Sequence, residues 1–307
     1  MVQPDEREDA LRKMLQLPPD WWQSIHTASI LLKWFKSHII PLLVAGSVGK
    51  NIQYNVYTGI LLEHNQIMVW LTAGHVVDEL KQLLSSSAFK PSVMTWLDGY
   101  EAPMAEGVRL HRTDIPMKSW RTDGLDVGAI IPSILDIGNI LKNDKVIPIN
   151  AQIWKNLRQA NPEGYYAIGF PRPWSEHSQK PGPNQKILHS VKADLACLPL
   201  TEIPPPPEFA DDPKWSDPAA FYGKIIPFID DPKFEVNDVK GMSGGPILSV
   251  ERDSDGRILY RLVGVIQSWA AAQSIIRAEP IHRVSQAIDK WLEEQQSTTA
   301  QQSVRRR

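Results

Sequence analysis

Ser243 lies in the stretch GMSGGPIL, where Gly241, Gly244 and Gly245 surround a single hydroxyl. Glycines gather where the backbone needs unusual dihedral angles or a close approach, so a plain turn between two strands explains this stretch on its own. A serine becomes a nucleophile towards a carbonyl only when a base stands beside it and a third group orients that base. The chemistry of Ser243 therefore depends on partners elsewhere in the chain.

His75 and Asp126 are the partners that the sequence favours. Most of the 8 histidines lie in polar stretches, whereas His75 directly follows the apolar run IMVWLTA. A lone histidine at such a place is more often a core residue that bonds to the backbone, and that interpretation stays open. Asp126 directly precedes the apolar run VGAIIP. Because a carboxylate there is costly to bury unpaired, a nearby imidazole would be a suitable partner.

The elements that must position these residues read as short strands. The runs YNVYTGILL, IMVWLTA, VGAIIP, YYAIGF, KILHSVKADLACLPL, FYGKIIPFI, GPILSV and YRLVGVIQSW are rich in β-branched and aromatic residues. EHNQ has the length of a hairpin turn between the first two. Such strands, separated by Gly, Pro, Asn and Asp, predict antiparallel barrels or sandwiches. The proline-rich stretches PRPWSEHSQKPGPNQ and LPLTEIPPPPEFADDPKWSDP predict two long loops.

Both ends of the chain show helical spacing instead. In the first 40 or so residues the apolar positions that recur at this spacing are Leu11, Met14, Leu15, Ile25, Ile30 and Trp34. Near the C-terminus one apolar stripe is formed by Ile281, Val284, Ile288, Trp291 and Leu292. The final run QQSTTAQQSVRRR is polar and of low complexity, which predicts disorder.

Composition excludes several classes of protein. The chain has 307 residues, is 42% hydrophobic and 22% charged, and carries a net charge of -2, which gives no reason to expect a nucleic-acid partner. The single cysteine, Cys197, cannot form an internal disulfide, which favours a reducing compartment. The acidic N-terminus argues against a secretory signal, and Lys33 and Lys36 interrupt the most apolar early segment. We expect a soluble cytoplasmic protein with no membrane partner.

The motifs LTAGHVV, DVGAII and GMSGGPI, in the order His, Asp, Ser, resemble those of trypsin-like serine peptidases of the chymotrypsin fold. YTGILL, YAIGFP and RLVGVIQSW resemble strands of the same family, and the similarity covers roughly residues 45 to 292. It implies an all-β fold of two antiparallel six-stranded β-barrels, with an N-terminal helical extension and a C-terminal helix. The expected divisions are the extension 1–40, the first barrel 41–150, the second barrel with the C-terminal helix 151–292, and a disordered tail 293–307.

The resemblance also implies roles for single residues. His75 would be the general base, Asp126 its orienting carboxylate and Ser243 the nucleophile. The backbone N–H groups of Gly241 and Ser243 would form an oxyanion hole, since a carbonyl oxygen that turns negative needs fixed donors.

Substrate-binding residues follow from the same resemblance. By its position before Ser243, Asn237 would lie at the base of the primary specificity pocket, with Asp238 beside it. Ser268 and Trp269 would belong to the pocket wall. VIQSW carries one extra residue relative to the family, so the register of the pocket stays open between Asn237 and Asp238. Secreted digestive members have an aspartate where this chain has Met242, which cannot hold a buried ammonium. We therefore expect a bacterial-type enzyme without N-terminal activation cleavage and without a PDZ domain.

Other motifs fit less well. Residues 241–245 also match the G-x-S-x-G nucleophile elbow of α/β-hydrolases, which needs a helix directly after the serine. Pro246 and the β-branched run behind it argue against a helix, and only His282 follows the serine. No H-E-x-x-H or paired-cysteine spacing supports a metal site, and no cofactor is expected. The sequence thus predicts a serine endopeptidase that acts on protein or peptide substrates and is activated by a regulatory protein. The alternative is a binding module that keeps the trypsin-like fold without hydrolysis.

Overall fold

The computed structural model describes residues 20–49, 51–96, 101–103, 108–109, 116–121, 125–132, 137, 146–154, 162–181, 187–234, 236, 238–253 and 257–305. The described α-helices are α1 (Ile25–Phe35), α2 (Gly74–Ser85), α3 (Ala151–Trp154) and α4 (Ile281–Arg305). Short 3₁₀ helices cover Trp21–Gln23, Lys36–His38, Arg172–Trp174, Pro207–Phe209 and Ala271–Gln273. None of the described helices is both long and apolar enough to cross a membrane.

The described strands are short and mostly antiparallel. In the N-terminal half they are β1 (Leu42–Val48), β2 (Asn51–Tyr57), β3 (Ile60–His64), β4 (Ile67–Ala73), β5 (Phe89–Trp96), β6 (Glu101–Pro103), β7 (Val108–Arg109), β8 (Met117–Trp120) and β9 (Val127–Ile130). In the C-terminal half they are β10 (Gly164–Gly169), β11 (Ser175–Pro181), β12 (Ile187–Ala193), β13 (Ala196–Glu202), β14 (Phe221–Ile225), β15 (Pro246–Arg252), β16 (Ile258–Ala270) and β17 (Ile275–Pro280).

The predicted hairpin before His75 is present, with a tighter turn than EHNQ. Strands β3 and β4 pair from Ile60 with Leu71 to His64 with Ile67. Only Asn65 and Gln66 remain between them, and both have positive φ values, 49° and 66°. Two-residue turns of this kind match the twist of the flanking strands and fix their register. The hairpin thereby fixes the position of the chain at Ala73, just before His75.

The N-terminal half consists of two four-stranded sheets in the described residues, with the orders β2-β1-β5-β7 and β3-β4-β9-β8. A buried apolar cluster lies between them and α2, and its largest members include Trp70, Trp96, Phe89, Leu80 and Tyr57. Closure of these strands into a first barrel stays a prediction. Strand β6 leaves this half and pairs with β12, in a three-stranded sheet of order β11-β12-β6.

The C-terminal half contains a closed six-stranded barrel with the order β10-β13-β14-β17-β16-β15. Its interior is filled by apolar side chains, among them Ala167, Leu198, Phe221, Ile247, Ile266, Ile276 and Ala278. The prediction of an antiparallel all-β protein is therefore confirmed at this level, with one barrel closed. The barrel lies within the predicted division 151–292, whose boundaries stay predictions.

The N-terminal segment packs on this closed barrel. Ala28, Leu31 and Phe35 on α1 are buried, and the ring of Phe35 lies 6.3 Å from Tyr166 of β10. Asp230 accepts hydrogen bonds from the Ile25 N–H and the Ser24 hydroxyl, both at 2.7 Å. Helix α1 thus belongs to an apolar cluster that contains buried residues of both halves. Residues Leu11, Met14 and Leu15 lie outside the described part of the chain.

Two stretches differ from the expectations. Helix α4 buries the predicted stripe from Ile281 to Leu292 but continues to Arg305, through the tail predicted to be disordered. Glutamine, alanine and glutamate are good helix formers, and they extend the helix once packing has nucleated it. The stretch PRPWSEHSQKPGPNQ contains strand β11, which pairs with β12 alone. As an edge strand it tolerates a proline, Pro181, at its end.

Candidate active site

His75 and Asp126 are in direct contact through two hydrogen bonds. The ring Nδ1 of His75 lies 2.8 Å from Asp126 Oδ2, and the His75 backbone N–H donates to Asp126 Oδ1, also at 2.8 Å. A carboxylate only accepts hydrogen bonds, so Nδ1 must carry the proton. In the neutral ring, Nε2 is then the acceptor. About a third of the His75 side chain, 34%, remains exposed.

The start of helix α2 explains why these residues meet. The first N–H groups of a helix have no partner within the helix, and Ala73 at the N-cap supplies no side chain to bind them. Asp126, at the start of β9, takes that place from the neighbouring strand, since β4 and β9 pair at Ala73 and Val127. A Cβ on Gly74 would lie 2.7 Å from Asp126 Oδ1, so a side chain there would push the carboxylate away.

The charge of Asp126 is stabilised by its surroundings. Burial acts to raise the pKa of Asp126, but the hydrogen bonds and charge of His75, with the charge of Arg121, outweigh it. The net result is a pKa below the ordinary value, so the carboxylate stays ionised at neutral pH. Arg121 Nε lies 3.6 Å from Oδ1, and its side chain is 54% exposed, so solvent screens its contribution.

Ser243 lies on the tight turn that leads into β15 of the closed barrel. Its hydroxyl makes one long hydrogen bond, 3.5 Å, to the backbone oxygen of Gln267. Within the described part of the chain, no hydrogen bond joins Ser243 to His75. The structure therefore brings His75 and Asp126 together as a pair and leaves the serine hydroxyl outside that pair.

The backbone of the serine turn offers two unused donors. The N–H groups of Met242, Gly244 and Gly245 donate to the backbone oxygens of Val239, Ile266 and Met242, respectively. Those of Gly241 and Ser243 donate to no atom of the described residues. Gly241 has a φ of 99°, which favours glycine. Two free N–H groups separated by one bonded residue form a pair that can bind a negatively charged oxygen.

The serine turn packs against the half of the chain that carries His75. A Cβ on Gly244 would lie 2.0 Å from Thr72 Oγ1, on β4, and 2.4 Å from the backbone oxygen of Thr58. Thr58 itself is buried, and its hydroxyl donates to the backbone oxygen of Gly241 at 2.7 Å. The Thr58 hydroxyl oxygen in turn accepts the N–H of Phe170 at 3.1 Å. The turn therefore lies where the two halves meet.

The predicted substrate-binding residues are less clearly grouped. Asn237 lies outside the described residues. Asp238 is partly buried, and its carboxylate accepts the backbone N–H of Lys240 at 2.8 Å. Ser268 is buried opposite Arg277 of β17, and Trp269 packs against the core of the closed barrel. Their roles in substrate binding stay predictions.

Met242 is fully buried in the apolar core of the closed barrel. A Cβ on Gly169 of β10 would lie 3.0 Å from it, so strand and turn are in close contact. Met242 is thus an apolar core residue, and the expectation of a chain without N-terminal activation cleavage stays a prediction.

Three residues beside this site were not among the sequence-based candidates. Thr58 contacts the serine turn, and its stretch YTGILL was noted only as a strand. Arg121 contacts Asp126 and lies in a polar stretch without a motif. Gln267 bonds both to Asp126 and to Ser243, and the extra residue in VIQSW was the available signal for it. Among the described residues, no group of three or more His, Cys, Asp and Glu side chains could hold a metal ion.

Comparisons with known proteins identify similar structures only. No protein-family model matches the chain, and no curated protein sequence matches it significantly. A solved structure of the protease Anisep from Arthrobacter nicotinovorans matches with 14% identity and a TM-score of 0.40, covering 80% of this chain and 90% of that one. Deg5 matches with 14% identity and a TM-score of 0.43, over 85% and 92% of the two chains.

Kallikrein-related peptidase 10, solved as a complex with Zn²⁺, matches with 15% identity and a TM-score of 0.42, covering 84% of this chain and 94% of that one. Identities this low do not transfer an activity from one chain to another. The function is therefore argued from the residues of this chain.

Proposed function

We propose that this chain is a serine endopeptidase that cleaves protein substrates through Ser243, His75 and Asp126 by way of an acyl-enzyme. The observation that carries the proposal is the pair of hydrogen bonds between His75 and Asp126, which fixes one tautomer of the His75 ring. A fixed Nδ1–H leaves Nε2 as the base, and this nitrogen is needed to take a proton from an alcohol.

The reaction then follows from these groups. Ser243 Oγ attacks the scissile carbonyl carbon while His75 Nε2 takes the hydroxyl proton, and the carbonyl oxygen becomes negative. The free N–H groups of Gly241 and Ser243 bind that oxygen. His75 gives its proton to the leaving amine as the C–N bond breaks, which leaves an ester on Ser243. A water molecule, activated by the same Nε2, hydrolyses the ester and restores the serine.

One movement must precede the attack. The Ser243 hydroxyl bonds to the Gln267 backbone oxygen, so it must rotate about its Cα–Cβ bond to reach a ring on the other half of the molecule. Ser243 is partly buried, and its hydroxyl needs only a rotation between staggered positions. Catalytic hydrogen bonds often tighten only when substrate is bound. Because the 3.5 Å bond is long, little opposes this rotation, and we propose that substrate or an activating protein controls it.

The hydrogen bond of the Ser243 hydroxyl to Gln267, and not to His75, favours a second function. If the Ser243 hydroxyl never engages His75, the molecule is a binding module that keeps the trypsin-like arrangement without hydrolysis. The two functions differ in the reactivity of one oxygen atom.

The deciding experiment measures that reactivity. A fluorophosphonate probe, which phosphorylates a serine only when it is activated, is incubated with the wild-type chain and with Ser243→Ala. We expect one adduct on Ser243 in the wild type, none in the variant, and cleavage of an unfolded protein that is lost together with the adduct. Ser249→Ala is the matched control, because Ser249 is a buried serine of the neighbouring strand. Absence of an adduct, with and without protein substrate, would refute the peptidase and leave the binding module.

A further inference from the structure

Gln267 occupies an irregular position in the closed barrel. The pairing of β16 with β17 shifts register between Ile266, opposite Ala278, and Ser268, opposite Arg277. Gln267 is therefore the extra residue of a β-bulge, without a partner on β17. Bulges re-aim a side chain and are frequent beside active sites. The Gln267 side chain is buried, so its amide must find partners inside the protein.

The amide finds partners in two different parts of the molecule. Its Nε2 donates to the backbone oxygen of Asp126 at 3.2 Å and to Glu279 Oε2 at 2.9 Å. The backbone oxygen of Gln267 accepts the Ser243 hydroxyl. One residue thus touches both the backbone that carries Asp126 and the nucleophile of the proposed triad.

Glu279 on β17 is fully buried, and burial raises its pKa. Its Oε1 lies 3.0 Å from Nη1 of Arg283, one turn into the C-terminal helix, and its Oε2 lies 4.0 Å from Arg277. The same Arg283 nitrogen contacts Asp217, at the end of the proline-rich loop, at 2.5 Å. A buried carboxyl group with these neighbours has one fixed orientation, and it presents Oε2 to Gln267.

The orientation of the Gln267 amide follows from these partners. A backbone oxygen and a carboxylate oxygen both accept, so the NH₂ group must face them, and Oε1 must face the other way. Oε1 is buried and has no hydrogen-bond partner among the described residues. The Asp126 backbone oxygen and Glu279 therefore hold the NH₂ end of the amide together, and Glu279 makes the shorter of the two contacts. Without Glu279, only the 3.2 Å contact to Asp126 is left to hold the amide, and its position is less constrained.

We propose that Gln267 is a positioning residue for the triad and that Glu279, fixed by Arg283, orients it. Gln267 holds the Asp126 backbone and the Ser243 hydroxyl at a constant separation across the two halves. The catalytic effect in this inference rests on the proposed function, whereas the contact of Gln267 with the Asp126 backbone can also be tested in an unreactive protein. This inference also gives the C-terminal helix and the loop end at Asp217 a structural link to the active site.

The test compares variants of nearly equal size. Gln267→Met and Glu279→Met keep the length of each side chain and remove its hydrogen bonds, whereas Glu279→Gln keeps an acceptor for the amide. We expect both methionine variants to lower the rate of fluorophosphonate labelling and kcat by roughly tenfold to a hundredfold, with little change in KM, as displaced catalytic groups do. Glu279→Gln should restore most of the rate. The double methionine variant should be no slower than the single ones, because both act through one contact.

Asp289→Asn is the control for a purely structural effect. Asp289, on the same helix as Arg283, pairs with buried His64 at 2.5 Å. Within the described part of the chain it bonds to neither Gln267 nor Glu279. It should lower the melting temperature without changing the labelling rate of the folded protein. If the methionine variants label as fast as the wild type, or if they slow labelling only in proportion to lost folded protein, the positioning role is wrong.

The proposal remains testable if the wild type does not react. The proton on His75 Nδ1 gives a separate NMR signal whose chemical shift reports its bond to Asp126. In Gln267→Met and Glu279→Met this signal should shift or broaden, while in Asp289→Asn it should stay in place. An unreactive wild type with these shifts refutes the peptidase and supports the positioning. Unchanged signals in the methionine variants overturn the positioning, whatever the activity.

Discussion

The two halves of the molecule hold their functional groups in different ways. In the N-terminal half, both carboxylate oxygens of Asp126 are engaged by His75, one by the ring and one by the backbone. In the C-terminal half, the backbone around Ser243 is fixed by two 2.8 Å hydrogen bonds, from Gly244 to Ile266 and from Ile266 to Gly245. Among the described residues, the Ser243 hydroxyl has a single hydrogen bond, the 3.5 Å contact to the Gln267 backbone oxygen.

This difference shows which part of the site is preorganised. A charged pair must be oriented by the folded protein, because a half-buried carboxylate without its partner is strongly unfavourable. A hydroxyl needs only the correct backbone beneath it and one rotation about Cα–Cβ. Under the proposed function, control of activity therefore acts on the rotation of Ser243 and on the serine turn more readily than on the His75–Asp126 pair.

The largest expected effect comes from removing the preorganised side of this comparison. Asp126→Asn keeps the size of the side chain, but the amide can donate to the His75 ring and so favour the wrong tautomer. We expect kcat to fall by about 10⁴, as in other serine triads that lose this carboxylate. Asp78→Asn is the matched control, because Asp78 also pairs with Arg121, at 3.6 Å, without contacting His75. A comparable loss in both variants would show that Asp126 acts through surface charge alone.

A comparison of the wild type with Asp126→Asn also tests the lowered pKa of Asp126. Because the hydrogen bonds and charge of His75 hold the pKa of Asp126 below its ordinary value in the folded state, ionised Asp126 stabilises the fold at higher pH. This contribution is lost as the pH falls through the lowered pKa. The wild type should therefore exceed Asp126→Asn in free energy of unfolding near neutral pH, and the gap should narrow in acid. Urea unfolding at several pH values measures the gap, and a gap independent of pH would contradict the lowered pKa.

A smaller but still large effect is expected at the contact between the halves. Gly244 has a φ of 90°, and a Cβ there would overlap Thr72 of β4. We expect Gly244→Ala to cost roughly 2–4 kcal/mol of folding free energy, from backbone strain and overpacking together, and to abolish labelling of Ser243. Gly49→Ala isolates the strain, since Gly49 has a φ of 61° and no atom within 4 Å of the added Cβ. Equal losses in both variants would mean that the turn does not depend on contact with β4.

Much of this arrangement could be predicted because its signals are local. The hairpin β3–β4, the strands after Asp126 and Ser243, and the apolar stripe of α4 each depend on residues within about ten positions of one another, where periodicity and turn residues are informative. The contact between His75 and Asp126 joins two such local patterns through the pairing of β4 with β9. The sequence alone could therefore place His75 just after one strand and Asp126 just before another, which made the two residues candidate partners.

The rest depends on register and on packing between distant elements. That Gln267 meets Glu279 and Asp126 follows from a bulge in the pairing of β16 with β17, which no short window of sequence specifies. Similarly, α1 has an apolar face that fits any apolar surface, and only the folded chain shows that Phe35 meets Tyr166 of the closed barrel. Resemblance was the basis for the closure of the first barrel and for the pocket residues, and composition was the basis for the disordered tail. Neither one specifies which residues of two strands pair with each other.

The smallest expected effect concerns the single threonine that links the two halves beneath the oxyanion donors. Thr58→Val keeps the shape of the side chain but removes both the bond to the Gly241 oxygen and the acceptor for Phe170, which leaves buried polar groups unpaired. We expect a loss of about 1–2 kcal/mol in folding free energy. Because Gly241 carries one of the two free N–H groups, labelling should also slow, while the NMR signal of the His75 Nδ1 proton stays unchanged. Thr58→Ser, which keeps the hydroxyl, should retain the labelling rate. If Thr58→Val slows labelling no more than Thr58→Ser does, the serine turn itself holds the Gly241 N–H in place. The backbone around Ser243 would then not need this contact with the N-terminal half, whereas His75 does need its contact with Asp126.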